Sequence, residues 1–304
     1  MNFRKKRILF LLIMTVSLSL LFVACNETSY EGSQNIAEAK EVKEVYKGDL
    51  KENIVIDARG DEAYNKGHLK NSISLDPSEL TVSNPVKATI APKEQIEKVL
   101  SNKGITPDTN IYIYDDKGGV YASRIWWTLK VYGHKNVKVI NNGAKALEKL
   151  GLEMSAKTPD IEKSNYKVSE VNKDMIATKD MVKEVINNES EDEFILDVRS
   201  LPEYEEGFIP QAIFYPHTKN YYSDNTFKSA RDTYLFYKDL GIEKEDLIIP
   251  YCKSSYRATV TALVLKEAGY ENVKVYDGAW LEWSQEEKAA EVKEDAPITD
   301  QDGS

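Results

Sequence analysis

Cysteine and histidine are the scarcest chemistry-bearing residues of this chain: two of the first, Cys25 and Cys252, and three of the second. Their scarcity excludes a good deal. No Cys/His pair has the spacing of a ligand set, so no metal is expected. None of the three histidines lies near Cys252 in sequence, so a Cys–His couple is not written into the local pattern. A glycine-rich phosphate loop and a dinucleotide fingerprint are also missing, and no cofactor is expected. A basic stripe is absent beyond the first few residues, and the net charge of −10 argues against a nucleic-acid partner. What is present is ordinary: 41% apolar and 30% charged residues, enough to bury a real core. A length of 304 residues suits two domains better than one.

The N-terminus stands apart. Arg4, Lys5, Lys6 and Arg7 precede an almost unbroken apolar run, Ile8–Val23. That is a basic region followed by the apolar region of a secretory signal, and it is shorter than the roughly 20 residues of a spanning helix. It ends in Leu21-Phe-Val-Ala-Cys25, which resembles a bacterial lipobox, with Phe22 where that motif prefers Leu. The resemblance implies a diacylglyceryl group on Cys25 and a protein lipid-anchored to the cell membrane on its extracytoplasmic face. The folded body then holds one thiol and no internal disulfide. A single free cysteine in an exported protein is either reactive or inertly buried, and its neighbours decide which.

Composition and repetition divide the chain. Residues 1–25 read as the signal peptide with its lipobox cysteine, and 26–45 as a polar tether. Residues 46–155 form a first domain, 156–175 a linker containing Pro159, 176–290 a second domain and 291–304 a polar tail. The two domains repeat each other. Ile54-Val-Ile-Asp57-Ala-Arg59 matches Phe194-Ile-Leu-Asp197-Val-Arg199, and Tyr64-Asn-Lys-Gly67-His68 matches Tyr204-Glu-Glu-Gly207-Phe208. Further on, Gly133–Val139 matches Gly269–Val275, with Asn-Val-Lys-Val identical in both. Short runs rich in Val, Ile and Tyr, such as Ile111–Tyr114, Val137–Ile140, Leu247–Tyr251 and Val273–Tyr276, read as buried strands. Tyr121–Tyr132 and Tyr256–Ala268 have helical periodicity and each stops at a glycine. The expected class is α/β, each domain a mostly parallel sheet covered by helices on both faces.

The sharpest feature is Leu247-Ile-Ile-Pro-Tyr-Cys252-Lys-Ser-Ser-Tyr-Arg257. A buried strand runs into Cys252, then a short loop, then a helix. This places the sulfur at the carboxyl end of a strand and at a helix N-terminus, where α/β proteins bind ligands. Inward-aimed amides there form an anion nest, and cations such as Lys253 and Arg257 favour a thiolate.

Together these motifs resemble the tandem-domain rhodanese family, sulfurtransferases of the thiosulfate or 3-mercaptopyruvate type, over roughly residues 46 to 288. Asp-x-Arg stands in both halves, Tyr64-x-x-Gly67-His68 in the first, and Asp277-Gly-Ala-Trp280-Leu-Glu-Trp283 resembles the C-terminal signature. The resemblance implies Cys252 as the catalytic nucleophile, carrying a persulfide cradled by the loop Lys253, Ser254, Ser255, Tyr256 and Arg257. It implies a small anionic sulfur donor, a thiophilic acceptor such as cyanide or a thiol, and a monomer. It also implies a silent first domain: an offset of 136 puts Asp116 in the nucleophile's place, and a carboxylate cannot accept sulfane sulfur. Asp57, Arg59, Asp197 and Arg199 read as structural pairs.

The loop is neither the Cys-Arg-Lys-Gly of thiosulfate enzymes nor the Cys-Gly-Ser/Thr-Gly of mercaptopyruvate ones, and its terminal Arg257 looks more like single-domain relatives. Phe208 replaces the family's His, Ser255 stands where Gly would leave φ free, and Glu203 lies where thiosulfate enzymes tend to carry an Arg. A phosphatase or arsenate reductase on this fold needs five residues between Cys and Arg, and here there are four. The alternative of another class is a non-catalytic sulfur-carrier or partner-binding lipoprotein.

Overall fold

The computed structural model describes residues 30–46, 52–188 and 190–286. Cys25, the signal segment and the tail 291–304 lie outside the described residues.

The first domain runs β1 (Ile36–Ala37), α1 (Ala39–Val45), β2 (Asn53–Asp57), α2 (Asp61–Lys66), β3 (Ile73–Ser74), α3 (Lys93–Asn102), β4 (Asn110–Tyr114), α4 (Val120–Val131), β5 (Val137–Ile140) and α5 (Gly143–Lys149). Its main sheet has the order β1-β5-β4-β2-β3, all parallel. The second domain repeats the plan with β6 (Ile176–Ala177), α6 (Lys179–Asn188), β7 (Glu193–Asp197), α7 (Leu201–Glu205), β8 (Ile213–Phe214), α8 (Ala230–Asp239), β9 (Leu247–Tyr251), α9 (Tyr256–Glu267), β10 (Val275–Tyr276) and α10 (Ala279–Glu286). Strands β8, β7 and β9 pair in parallel, as do β6 and β10. A single parallel bridge, Ile248 to Val273, joins the two sets in the same order as the first domain.

Side chains alternate across a strand, and the alternation sorts the core. Val55, Tyr112, Tyr114 and Ile140 turn to one face and pack with Val42 of α1 and Ala144 and Leu147 of α5. Ile56, Ile111, Ile113, Val137 and Val139 turn to the other face, into a core that runs on through α4 and α9 to Leu196, Ile248 and Val273 of the second domain. Helices that are apolar all round belong in an interior. That is where α4 and α9 lie, packed on each other between the sheets, with every residue from Ala258 to Leu265 buried. Gly119, the residue before α4, allows this approach: a Cβ there would sit 2.6 Å from the Phe227 ring.

The tether expected over 26–45 is corrected in its second half. Ile36 and Ala37 are fully buried as the edge strand on Val139 and Ile140, and α1 follows at once. The polar composition around them hid a strand of two residues. Upstream, the same segment crosses to the second domain, where the Tyr30 hydroxyl donates to the Lys228 carbonyl and Asn35 Nδ2 to Glu267 Oε2 at 3.1 Å. The segment 156–175 lies along the first domain, with Tyr166 buried against His134 and the Val168 amide on Glu97.

Candidate active site

The two strand ends β2 and β7 carry the same device. Asp57 accepts from Arg59 Nε at 2.9 Å and Nη2 at 2.6 Å, and from the Tyr114 hydroxyl at 2.6 Å. Arg59 Nη2 also donates to the Gly67 carbonyl at 2.7 Å. Asp197, Arg199, Tyr251 and Gly207 repeat every one of these bonds. Each pair therefore bolts its strand to the neighbouring strand and to the turn after the next helix. Phe208 stacks on Tyr204 at 4.3 Å much as His68 stacks on Tyr64 at 3.7 Å, so the loss of the imidazole leaves the packing intact.

These registers decide which residue answers to Cys252. Asp57 lies opposite Tyr114 and Asp197 opposite Tyr251. The next residue after each tyrosine is Asp115 in one domain and Cys252 in the other. Asp116 is thus corrected: it is exposed, with Lys117 Nζ 3.8 Å away. The loop of the first domain is one residue longer, so the helices align at an offset of 136 but the strand ends at 137.

Asp115 shows what the loop is built to hold. Its buried carboxylate accepts from the backbone amides of Lys117, Gly119, Tyr121 and Ala122 at 2.7–3.0 Å. Burial pushes the carboxyl above its ordinary range, and the four amides oppose that push. In the second domain the same seat holds the Cys252 sulfur, 1% exposed. Among the described residues no protein oxygen accepts from the amides of Lys253 to Arg257. The carbonyls of Cys252 and Lys253 turn the other way, accepting from the Trp280 and Leu281 amides at 3.0 and 3.1 Å. The loop therefore directs carbonyls outward and leaves donors for an anion.

Ser255, just before α9, adopts φ +68. A left-handed conformation costs a non-glycine residue about 1–2 kcal/mol, and the Ser255 hydroxyl offsets it by bonding the Tyr276 and Asp277 carbonyls at 3.0 and 2.7 Å. Ser255→Ala keeps the strained φ and strands both acceptors, so it is expected to lower stability by about 1–3 kcal/mol, read as a shift in the urea midpoint. Ser255→Gly is expected to lose less, because it relieves the backbone.

The signature after β10 locks the loop from below. A Cβ on Gly278 would lie 2.0 Å from Glu282 Oε2, and that oxygen accepts from the Tyr276 hydroxyl. Trp280 covers Arg199 at 4.3 Å. Asp277 reaches across the domain boundary, accepting from Arg124 Nη1 at 2.8 Å and the Ile90 amide at 2.7 Å. Arg124 is fully buried, donates to the Ala88 carbonyl, and lies against the rings of Trp127 and Tyr256. No motif in the sequence marks Arg124. Its signal is a cation inside the otherwise uncharged run Ala122–Leu129.

Arg257 donates to both oxygens of Glu203 at 2.6 and 2.7 Å. Those bonds, then the charge of Cys252, hold the guanidinium firmly cationic. The Arg257 bonds in turn lower the Glu203 carboxyl to about 2. Burial first, and then the Arg257 charge, lower His217 to about 4. Both groups bind protons more readily in the unfolded chain, so stability is expected to fall with pH in two windows. His217 acts between about 6.5 and 4, and Glu203 between about 4.5 and 2. His217→Gln should flatten only the upper window of a urea-midpoint profile against pH.

Beside the loop that follows Cys252 opens a cleft of about 620 Å³ shared by the domains: Asp76, Pro77, Ser78, Lys87, Ala88, Val120 and Tyr121 from the first, and Lys253, Ser254, Tyr256, Arg257 and Leu281 from the second. All five predicted loop residues except the buried Ser255 line it. The first domain's contribution to this wall had no motif to announce it.

A family model described as "Rhodanese-like domain" matches residues 38–150 and again 178–286. The chain belongs to the rhodanese-like family. Relatives include a Mycolicibacterium smegmatis protein named "Putative thiosulfate sulfurtransferase", 32% identical over 73% of this chain and 84% of its own. Another is the "Sulfur carrier protein TtuD" of Thermus thermophilus, 31% identical over 72% and 83%. Among solved structures, a single-residue variant of EanB in complex with ergothioneine superposes with a TM-score of 0.78 at 22% identity, covering 86% of this chain and 70% of that one. YnjE gives 0.76 at 21%, covering 85% and 68%. At those identities the likeness is one of fold, and it is the rhodanese fold twice over.

Proposed function

We propose that this chain is a sulfurtransferase that moves sulfane sulfur through a persulfide on Cys252. The observation that carries the reading is the contrast between the twin loops: Asp115 fills its nest with its own anion, whereas Cys252 leaves the corresponding amides for a sulfur anion. The Cys252 thiolate attacks the outer sulfur of the donor, and the donor's bond to that sulfur breaks. With thiosulfate, sulfite leaves with the electron pair. The loop amides and Arg257 stabilise the charge on the new persulfide. A thiophilic acceptor such as cyanide then takes the outer sulfur as thiocyanate and returns the thiolate. The first domain, with a carboxylate in the seat, performs neither step and supplies one wall of the cleft.

A sulfur-carrier role is the second reading, favoured by the relative from Thermus thermophilus that bears that name. One experiment separates the two: thiosulfate or 3-mercaptopyruvate is added with and without cyanide, following thiocyanate and the intact mass. Catalytic turnover supports the enzyme. A gain of one sulfur on Cys252 without turnover supports the carrier, and no gain with either donor sinks both.

We also propose a lipid anchor on Cys25, at the outer face of the cell membrane. Its support is the basic-apolar leader and the sequence Leu21–Cys25, five residues before Tyr30 docks on the second domain. Cys25→Ala should move the protein from the membrane fraction to the soluble one, and unchanged fractionation would refute the anchor.

A further inference from the structure

We propose that Glu203 sets donor choice, turning the cleft toward organic sulfane donors of a single negative charge and away from the thiosulfate dianion. The inference rests on the sulfurtransferase reading and deepens it. Arg257 is the cation within reach of the Cys252 sulfur, and both its outer nitrogens are taken by Glu203 in a bidentate pair. Such pairs fix geometry as well as charge, so Arg257 cannot also offer a fork to an incoming oxyanion. The charges facing the cleft are Lys87, Lys253 and Arg257 against Asp76 and, behind Arg257, Glu203. Three cations against two carboxylates leave one net positive charge, and the Cys252 thiolate offsets it, so no surplus cation remains to hold a dianion.

The walls point the same way. The cleft, about 620 Å³, is within the usual range for sites that enclose organic ligands, roughly 300–1,000 Å³. Pro77, Ala88, Val120 and Leu281 line it with the edge-to-face pair Tyr121 and Tyr256, ring centres 6.0 Å apart. A five-atom inorganic dianion would leave most of this surface untouched. An organic persulfide R–S–SH uses it. The Cys252 thiolate attacks the outer sulfur, the donor S–S bond breaks, R–S⁻ leaves with the electron pair, and the outer sulfur arrives on Sγ with its proton. Nothing else is oxidised or reduced.

The test compares full-length protein in mild detergent, as wild type, Glu203→Gln and Lys87→Ala, with thiosulfate and with 3-mercaptopropionate persulfide, whose carboxylate is its single charge when the outer sulfur carries its proton. The readout is the kcat/KM ratio of the two donors, which a purely structural role for Glu203 would not move. Glu203→Gln is expected to raise kcat/KM for thiosulfate about tenfold, as one nearby charge at intermediate dielectric allows, with the persulfide changing about twofold or less. Lys87→Ala, a change at an exposed position, is expected to shift the ratio further toward the persulfide, and it keeps the test open if Glu203→Gln misfolds. A ratio unmoved by both variants, or moved the opposite way, overturns the proposal. Absence of any sulfur gain on Cys252 with both donors overturns the sulfurtransferase reading beneath it.

Discussion

Replacing Cys252 with serine is expected to lower turnover with every donor by roughly three orders of magnitude or more while leaving the fold in place. The oxygen is close to isosteric with the sulfur, and the seat it would occupy is defined by backbone: β9 below, the Trp280 and Leu281 amides on the loop carbonyls, and α9 ahead. What is lost is the nucleophile, because a serine hydroxyl has no adjacent base to ionise it. His217 sits in the field of Arg257 and Glu203. Thiocyanate production and intact mass measure the loss, and thermal unfolding checks the fold. Residual turnover above about a tenth of wild type would mean that the sulfur travels by another residue.

The second large effect is on stability and comes from Arg124. Its guanidinium bridges Asp277 at 2.8 Å and the Ala88 carbonyl at 2.8 Å, wholly out of solvent. Arg124→Ala leaves the Asp277 carboxylate buried with one remaining amide partner, Ile90. Breaking a buried pair from one side typically costs about 3–5 kcal/mol, a large part of the 5–15 kcal/mol that holds a typical protein folded. Urea unfolding should register it. Removing both charges, in Arg124→Met with Asp277→Leu, should recover much of the loss, since the desolvated charges then disappear together. A single-variant cost below about 1 kcal/mol would show that water reaches the pair. Ser255 bonds the Asp277 carbonyl, so the single variant should also slow sulfur loading on Cys252 by loosening the loop.

Much of this was legible in one dimension. The repeat announced two domains of one kind, because the strand ends Asp57-x-Arg59 and Asp197-x-Arg199 need the same bonds and therefore the same residues. The run of apolar residues into Cys252, followed by a stretch of helical periodicity that stops at Gly269, places the sulfur at a strand end. Local patterns of this sort are written by neighbours in sequence: the alternation of a strand, the periodicity of a helix, a signature such as Asp277–Trp283 in which successive residues each have a separate contact.

Relations between distant segments were not. Ile36 and Ala37 look like two apolar residues in a polar tether until β5 is beside them. The sequence offset of 136 points to Asp116, and only the pairing of Asp57 with Tyr114 and of Asp197 with Tyr251 chooses Asp115. The partners of Arg124 and of Arg257 lie 153 and 54 positions away, and the cleft wall formed by Lys87, Ala88 and Tyr121 belongs to the other domain. Sequence by itself determined the fold and the duplication and singled out Cys252, since each depends on short-range periodicity and residue type. Tertiary structure alone decided what fills the loop of the first domain, which charges meet at the Cys252 loop and what shape of cleft lies beside it, because those depend on the register of strands and the packing of α4 on α9.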